Sequence, residues 1–247
     1  MNIVTKHTSN FSPISLKDMD RVKLMNRTDT KFAFSANKLL DLFNQLIPFY
    51  DVLEIDGKRI HSYKSLYFDT EGRKFYNDHH NRRVNRHKIR FREYVDSGLI
   101  YLEVKCKNNK KKTIKKRLKV DKIADSLTQD QKKYVDDIIG DSLKVMPIQW
   151  INFSRITLVH KQQKERLTID VNLDYHNDDF SGDLRKLIIA EVKQERMSRS
   201  SDFIRIAKEM KIYPIRISKY CYSSMQLDSS LKMNRFKEKQ IFINKIT

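Results

Sequence analysis

The sequence predicts an α+β fold in which a closed antiparallel β-barrel carries helices packed on its outside. Segments scattered from residue 88 to residue 193 alternate charged and apolar side chains with period two, the pattern of strands whose faces meet different surroundings. Helical spacing is confined to a few segments, each with one apolar face suited to covering a sheet. Among 247 residues there are only five Gly and four Pro, and no Ser/Gly/Pro-rich linker divides the chain.

In chain order, residues 1–16 are polar and read as a flexible segment, followed by one domain over residues 17–226. Ala36 to Ile47 places Leu39, Leu40, Phe43 and Leu46 at helical spacing. Asp69, after Tyr67-Phe68, reads as a turn or capping residue rather than a metal ligand. His79, His80 and His87 lack acids at zinc-site spacing and read as surface or rim histidines. Lys88-Ile89-Arg90-Phe91-Arg92 puts three cations on one face, and Tyr101 to Lys107 repeats the alternation with Glu103 beside Lys105. The run from Lys105 to Lys119 is densely basic, with Asn108 to Lys112 as a hairpin connection. That run reads as a solvated loop, with an electrostatic funnel for polyanions as the functional alternative. Thr128 to Ile139 is a helix candidate, Arg166 to Val171 and Ile188 to Lys193 are strands, and Ser200 to Met210 is a helix. Residues 227–247 form a basic tail, while Trp150 and most Tyr and Phe residues read as core.

Composition narrows the partner. Fifty Lys and Arg against 31 Asp and Glu give a formal charge of +19 and a pI near 9.8, so the partner is expected to be anionic. Charge alone does not separate nucleic acid, phosphate chains and lipid surfaces. Nucleic acid is disfavoured because Phe91 falls opposite Arg90 and Arg92, which leaves no stacking platform among those cations. Cys106 and Cys221 belong to no metal-binding spacing, and no apolar run reaches the length of a leader or a membrane span. The expectation is a cytoplasmic protein without membrane insertion.

A charged strand face ordinarily meets water. Here cations recur beside isolated acids, Glu103 with Lys105 and Glu191 with Lys193, on strands far apart in sequence. An eight-stranded barrel is just wide enough to hold a narrow ligand, and like charges inside it repel by roughly 1–4 kcal/mol per pair. A polyanion along the axis offsets that repulsion.

These segments, with their neighbours, resemble the catalytic domain of the vacuolar transporter chaperone family, within the triphosphate tunnel metalloenzyme fold. The resemblance covers roughly Met25 to Met225. It rests on eight motifs in order: Arg27-Thr-Asp-Thr-Lys31-Phe, Ser65-Leu-Tyr-Phe-Asp-Thr70, Lys88-Ile-Arg-Phe-Arg92, Leu102-Glu-Val-Lys105, Ser154-Arg-Ile-Thr157, Arg166-Leu-Thr-Ile-Asp170, Ala190-Glu-Val-Lys193 and Ser218-Lys-Tyr220. It implies an eight-stranded tunnel in which Lys31, Arg90, Arg92, Lys105, Arg155 and Lys219 grip phosphates, with Lys115, Arg166 and Lys193 added to the set. It further implies Arg90, Arg92, Lys31 and Glu191 as catalytic residues and Glu191 as ligand to a divalent Mn or Mg ion. The expected activity is metal-dependent transfer of the terminal phosphate of ATP onto inorganic polyphosphate. The alternatives are a triphosphatase or nucleotide hydrolase on the same fold, or a non-enzymatic polyphosphate- or RNA-binding module. Related hydrolases carry Glu-x-Glu-x-Lys where this chain has Arg27-Thr28-Asp29-Thr30-Lys31, and losing the first acid favours transfer over hydrolysis.

Overall fold

A computed structural model describes residues 3–19, 28–109, 113–195 and 200–247. The helices are α1 (Ile3–Thr8), α2 (Leu39–Leu46), α3 (Lys74–His80), α4 (Gln129–Ile139), α5 (Asp202–Glu209), α6 (Lys219–Leu227) and α7 (Lys237–Ile246). The strands are β1 (Pro13–Ile14), β2 (Thr28–Ser35), β3 (Tyr50–Leu53), β4 (Ile60–Asp69), β5 (Arg86–Tyr94), β6 (Leu99–Lys107), β7 (Thr113–Val120), β8 (Met146–His160), β9 (Glu165–His176), β10 (Ser181–Leu184) and β11 (Leu187–Gln194). All four strand segments expected from periodicity lie within strands, and each of the three expected helix segments contains one α-helix, shorter than the segment by one to four residues.

Eight strands form one antiparallel path, β2-β11-β9-β8-β4-β5-β6-β7, with β10 added to β9, β3 to β8, and β1 parallel to β3. The path curls. Ser218, the residue before α6, accepts a 2.9 Å hydrogen bond from Lys88 on β5, while the next residue, Lys219, binds Asp170 on β9. Two strands separated in the path by β8 and β4 are thus bridged by two consecutive residues across a concave face.

Among the described residues no ladder joins β2 to β7, so the antiparallel path is shown and the closure expected from the sequence is not. The outer edge of β2 is already engaged, because Phe32 bridges Pro214 and the Ile215 amide donates to the Lys31 carbonyl at 2.8 Å. At the other end Thr113 to Lys119 of β7 are exposed and include Lys115, Lys116, Arg117 and Lys119. A lysine-rich edge resists further pairing.

Two apolar layers cover the convex side. Phe32, Phe34, Ile156, Leu158, Leu167, Ile169, Ile188, Ala190 and Val192 pack beneath α2 and α5, and Leu66, Phe68, Ile89, Phe91, Leu102 and Val104 beneath α4. A third cluster fills one end of the concave side, where Ala33, Ile151, Phe153, Leu173, Tyr175 and Ile189 meet residues of α6 and α7. Asn172 makes this possible. It sits at φ 52° where the β8–β9 register slips, so Leu173 and Tyr175 face the same side as Asp170 instead of alternating away.

Among the described residues, segments near both chain ends place apolar side chains in the core, which the sequence reading of a flexible segment over 1–16 and a basic tail over 227–247 did not anticipate. Phe11 packs edge-on against Phe43 of α2 at 5.6 Å, and the Arg59 guanidinium donates to the Thr8 and Phe11 carbonyls at 2.8 and 3.0 Å. In α7 Ile243 is fully buried. Isolated apolar residues amid polar ones anchor these segments without the periodicity that would announce it. His80 and His87 are likewise buried rather than at the surface, and burial pushes His79 down to about 2. Asp69 is a cap: its carboxylate accepts from the amides of Thr70, Phe75 and Tyr76 at the start of α3 and from the Tyr220 hydroxyl. No helix among the described residues is long and apolar enough to cross a membrane.

Candidate functional site

Strand pleat and register assemble the concave face. Tyr67 opposes Arg90 and Ser65 opposes Arg92 between β4 and β5; Arg90 opposes Glu103 and Lys88 opposes Lys105 between β5 and β6; Glu103 opposes Arg117 and Lys105 opposes Lys115 between β6 and β7. On the other wall Arg155 opposes Asp170, Glu191 opposes both Thr168 and Lys31, and Lys193 opposes Arg166 and Asp29. Because alternate residues share a face, a single register places all these side chains on one side.

Three acids on this face are each held by cations. Glu103 accepts from Arg90 Nε and Nη2 at 2.9 and 2.6 Å and pairs with Lys115. Asp170 accepts a two-pronged contact from Arg155 at 2.6 and 2.9 Å and pairs with Lys219. Glu191 Oε2 accepts from Lys193 at 2.8 Å, while Oε1 faces Lys31 at 3.7 Å. Burial alone would raise the Glu103 and Asp170 carboxyls, but the surrounding cations outweigh it and hold both well below the carboxylate range.

Cations remain in excess. Lys88 donates to the Ser218 hydroxyl at 2.9 Å, Arg92 donates to the Ser65 hydroxyl at 3.2 Å, and no carboxylate among the described residues comes within ion-pair distance of Lys105. Lys88, Lys105 and Lys115 lie side by side across three strands, an arrangement that is destabilising when nothing neutralises it. Arg90 foremost, then burial and Arg92, lower the Lys105 ammonium well below its ordinary range, and burial lowers Lys88 and Lys219. Burial and the Arg90 charge push Arg92 to about 10.

A sign follows for binding. A lysine whose folded pKa is depressed releases its proton more readily in the empty protein, so stability of that protein rises with pH up to the ordinary lysine value near 10.4. An arriving polyanion reverses the shift. Triphosphate binding at about pH 9 is therefore expected to take up a fraction of a proton to about one proton, measurable by calorimetry in buffers of different ionisation enthalpy. Proton release on binding contradicts the assignment.

Of the residues expected from sequence, Lys31, Arg90, Arg92, Lys105, Lys115, Arg155, Lys193, Lys219 and Glu191 share this face; Arg166 lies towards its rim, opposite Lys193. Arg27 and Lys110 to Lys112 fall outside the described residues. Sequence reasoning missed Asp170 and Lys88 as members, although both share strand parity with expected residues. It also missed Tyr63 and Phe153. Arg92 and Arg155 each lie 5.3–5.4 Å from both ring centroids, and Lys219 Nζ is 4.5 Å from Phe153. Aromatics therefore do accompany the cations, contrary to the inference from Phe91, but guanidinium and ammonium groups lie over their faces.

Among the described residues no three His, Cys, Asp or Glu side chains gather to hold a metal. Glu191 is the acid that fits a divalent ion brought in with phosphate oxygens, since its Oε1 faces Lys31 beyond hydrogen-bond distance.

The VTC domain profile matches residues 26–227. The chain belongs to the VTC domain family. No curated protein matches it by sequence. Among solved structures, it is similar to a candidate adenylyl cyclase from Hippeastrum, described with a dominant triphosphatase activity, at 14% identity and a TM-score of 0.53, over 85% of this chain and 99% of that one. A candidate adenylate cyclase from Bacillus halodurans is similar at 13% identity and a TM-score of 0.50, over 81% and 98%. At such identity the likeness concerns the fold, and it agrees with a VTC domain built on a curled antiparallel sheet around a basic interior.

Proposed function

We propose that this VTC domain is a phosphotransferase that moves the terminal phosphate of ATP onto an inorganic polyphosphate chain on its basic concave face. The observation that carries the reading is the set of Lys88, Arg92 and Lys105, enclosed cations that pair with no carboxylate among the described residues. A phosphate chain supplies about one negative charge per residue and oxygens suited to guanidinium forks.

Phosphoryl transfer requires alignment and charge neutralisation more than covalent help from the protein. A terminal oxygen of the acceptor attacks the γ-phosphorus, the bond to the β–γ bridging oxygen breaks, and ADP leaves. Arg90, Arg92, Lys31 and Lys219 neutralise the transferred group and its neighbours, while Lys105, Lys115, Arg155, Arg166 and Lys193 guide the chain. Glu191 would hold the Mn or Mg ion, which would supply further neutralisation of phosphate oxygens. Glu103 and Asp170 are each engaged by two cations, and the Glu191 oxygen that Lys193 leaves open is assigned to the metal, so none of the three is left as a base for water. A phosphate acceptor needs no deprotonation, which supports transfer over hydrolysis.

Incubation with ATP and Mn, followed by gel separation of products, tests the reading. Long chains with stoichiometric ADP are expected. Orthophosphate alone assigns a triphosphatase, and binding without turnover assigns a polyphosphate-binding module. Glu191→Gln is expected to reduce metal-dependent turnover by roughly 10²-fold or more and, because it leaves the buried Lys193 ammonium without its carboxylate, to lower the thermal midpoint as well.

A further inference from the structure

We infer that the nucleoside of the phosphate donor lies on an aromatic row at the β5–β6 turn end of the concave face, with its base stacked on the Tyr94 ring beside Tyr101. The inference rests on the nucleotide donor proposed above and adds where its base is held. Its first support is register. Phe153 on β8, Tyr63 on β4, Tyr94 on β5 and Leu99 on β6 stand opposite one another in turn, so they form one row across four strands. Tyr63 shares strand parity with Ser65 and Tyr67, and Tyr94 with Arg90 and Arg92, which sets the row on the cationic side of the sheet. The rings meet one another. Tyr63 stacks on Phe153 at 5.2 Å, Tyr94 meets Tyr63 at 5.0 Å, and Tyr101, one row further in, meets Tyr94 at 5.9 Å.

The second support is accessibility. Phe153 is buried, Tyr63, Tyr94 and Tyr101 are half-buried, and Leu99 is 37% exposed, so the row becomes accessible as it approaches the turn. Tyr94 and Tyr101 join none of the apolar core clusters among the described residues. Among those residues cations lie over Phe153, Tyr63 and Tyr101, and none lies over Tyr94. A half-exposed ring outside the core offers a stacking surface. An inorganic phosphate chain makes no use of it, whereas every nucleobase has a π-face that does.

The third support is spacing. Successive concave rows on β5 are two residues apart, about 7 Å. Inward from Tyr94 come the rows of Arg92, Arg90 and Lys88. One step accommodates the sugar, and the triphosphate then runs over Arg92 and Arg90 towards Lys88. Arg117, over the Tyr101 ring at 4.8 Å, adds a guanidinium plane at the same edge of the site.

Methyl triphosphate carries the charge of ATP without a base, so the pair separates base recognition from phosphate recognition. By calorimetry on the full chain, ATP and GTP are expected to bind within about threefold of each other and about tenfold or more tighter than methyl triphosphate. Tenfold is about 1.4 kcal/mol, the size of one base–aromatic stack. Tyr94→Leu keeps the bulk and loses the aromatic face. It is expected to cut that preference to about threefold or less while methyl triphosphate affinity stays within about twofold, and Tyr94→Phe is expected to retain the preference. Stacking is read directly in the unaltered protein with 2-aminopurine riboside triphosphate, whose fluorescence is expected to fall severalfold on binding. Equal affinity of the unaltered protein for ATP and methyl triphosphate, undiminished 2-aminopurine emission, or a preference that survives Tyr94→Leu overturns the base site and leaves the phosphate-chain reading standing. A Tyr94→Leu chain that loses methyl triphosphate as well has a damaged site, and the 2-aminopurine measurement then decides. Failure of ATP, methyl triphosphate and polyphosphate alike to bind removes the phosphate-chain reading and the base site with it.

Discussion

Arg92→Ala is expected to lower ATP-dependent polymer formation by roughly 10²–10³-fold, the loss typical of a charged donor aimed at developing charge. The same substitution is expected to leave the thermal midpoint unchanged or raised. Arg92 donates to Ser65, lies over Tyr63 and Phe153, and pairs with no carboxylate among the described residues, while Arg90 and Arg155 both repel it. Removing it relieves repulsion and strands no acid. Arg90→Ala makes the contrast, since it takes two hydrogen bonds from buried Glu103. That variant loses activity and stability together, so Arg92 is the cleaner probe. Lys at position 92 should restore a minor part of the rate, because an ammonium keeps the charge but loses the planar fork. Unchanged turnover in Arg92→Ala removes the residue from the site.

Asp170→Asn carries the largest expected stability effect. Asp170 anchors Arg155 and Lys219, and breaking a buried ion pair from one side costs about 3–5 kcal/mol because the partners stay charged. For a chain of this size that lowers the melting midpoint by roughly 10 °C. Added polyphosphate is expected to restore more stability to the variant than it adds to the parent, since its oxygens take the place of the missing carboxylate; saturation at a hundredfold over Kd is worth about 2.7 kcal/mol. The parent should also show an acid limb that the variant lacks. The folded Asp170 carboxyl is depressed, so its contribution is present above the unfolded value near 3.9 and disappears as pH falls below it. Scanning fluorimetry with and without polyphosphate reads all three effects, and a variant melting with the parent refutes the role given to Asp170.

Much of the site was legible because strand pleat is a local property. Once Lys88 to Arg92 is a strand, Lys88, Arg90 and Arg92 share a face whatever the rest of the chain does, and the same holds for Glu191 with Lys193. Motif order supplied the family. The aromatic platform was hidden, because Tyr63 and Phe153 are ordinary core residues until register sets them beside Arg92 and Arg155. The slip at Asn172 was hidden as well: one residue in the left-handed region reverses the alternation after Asp170, and Leu173 and Tyr175 then fill an end that a regular strand would have left open.

By itself, then, the sequence determined which side chains stand together on each strand, where the amphipathic helices lie, and that the partner carries negative charge. Tertiary structure alone decided how each acid is shared between cations, which aromatic rings lie beside them and, among the described residues, which segment takes the outer edge of β2. The division has one physical cause. Pleat and helical period arise from neighbours in the chain, whereas enclosure and edge pairing depend on which distant segment reaches a given edge first, and here Pro214 and Ile215 take the edge of β2.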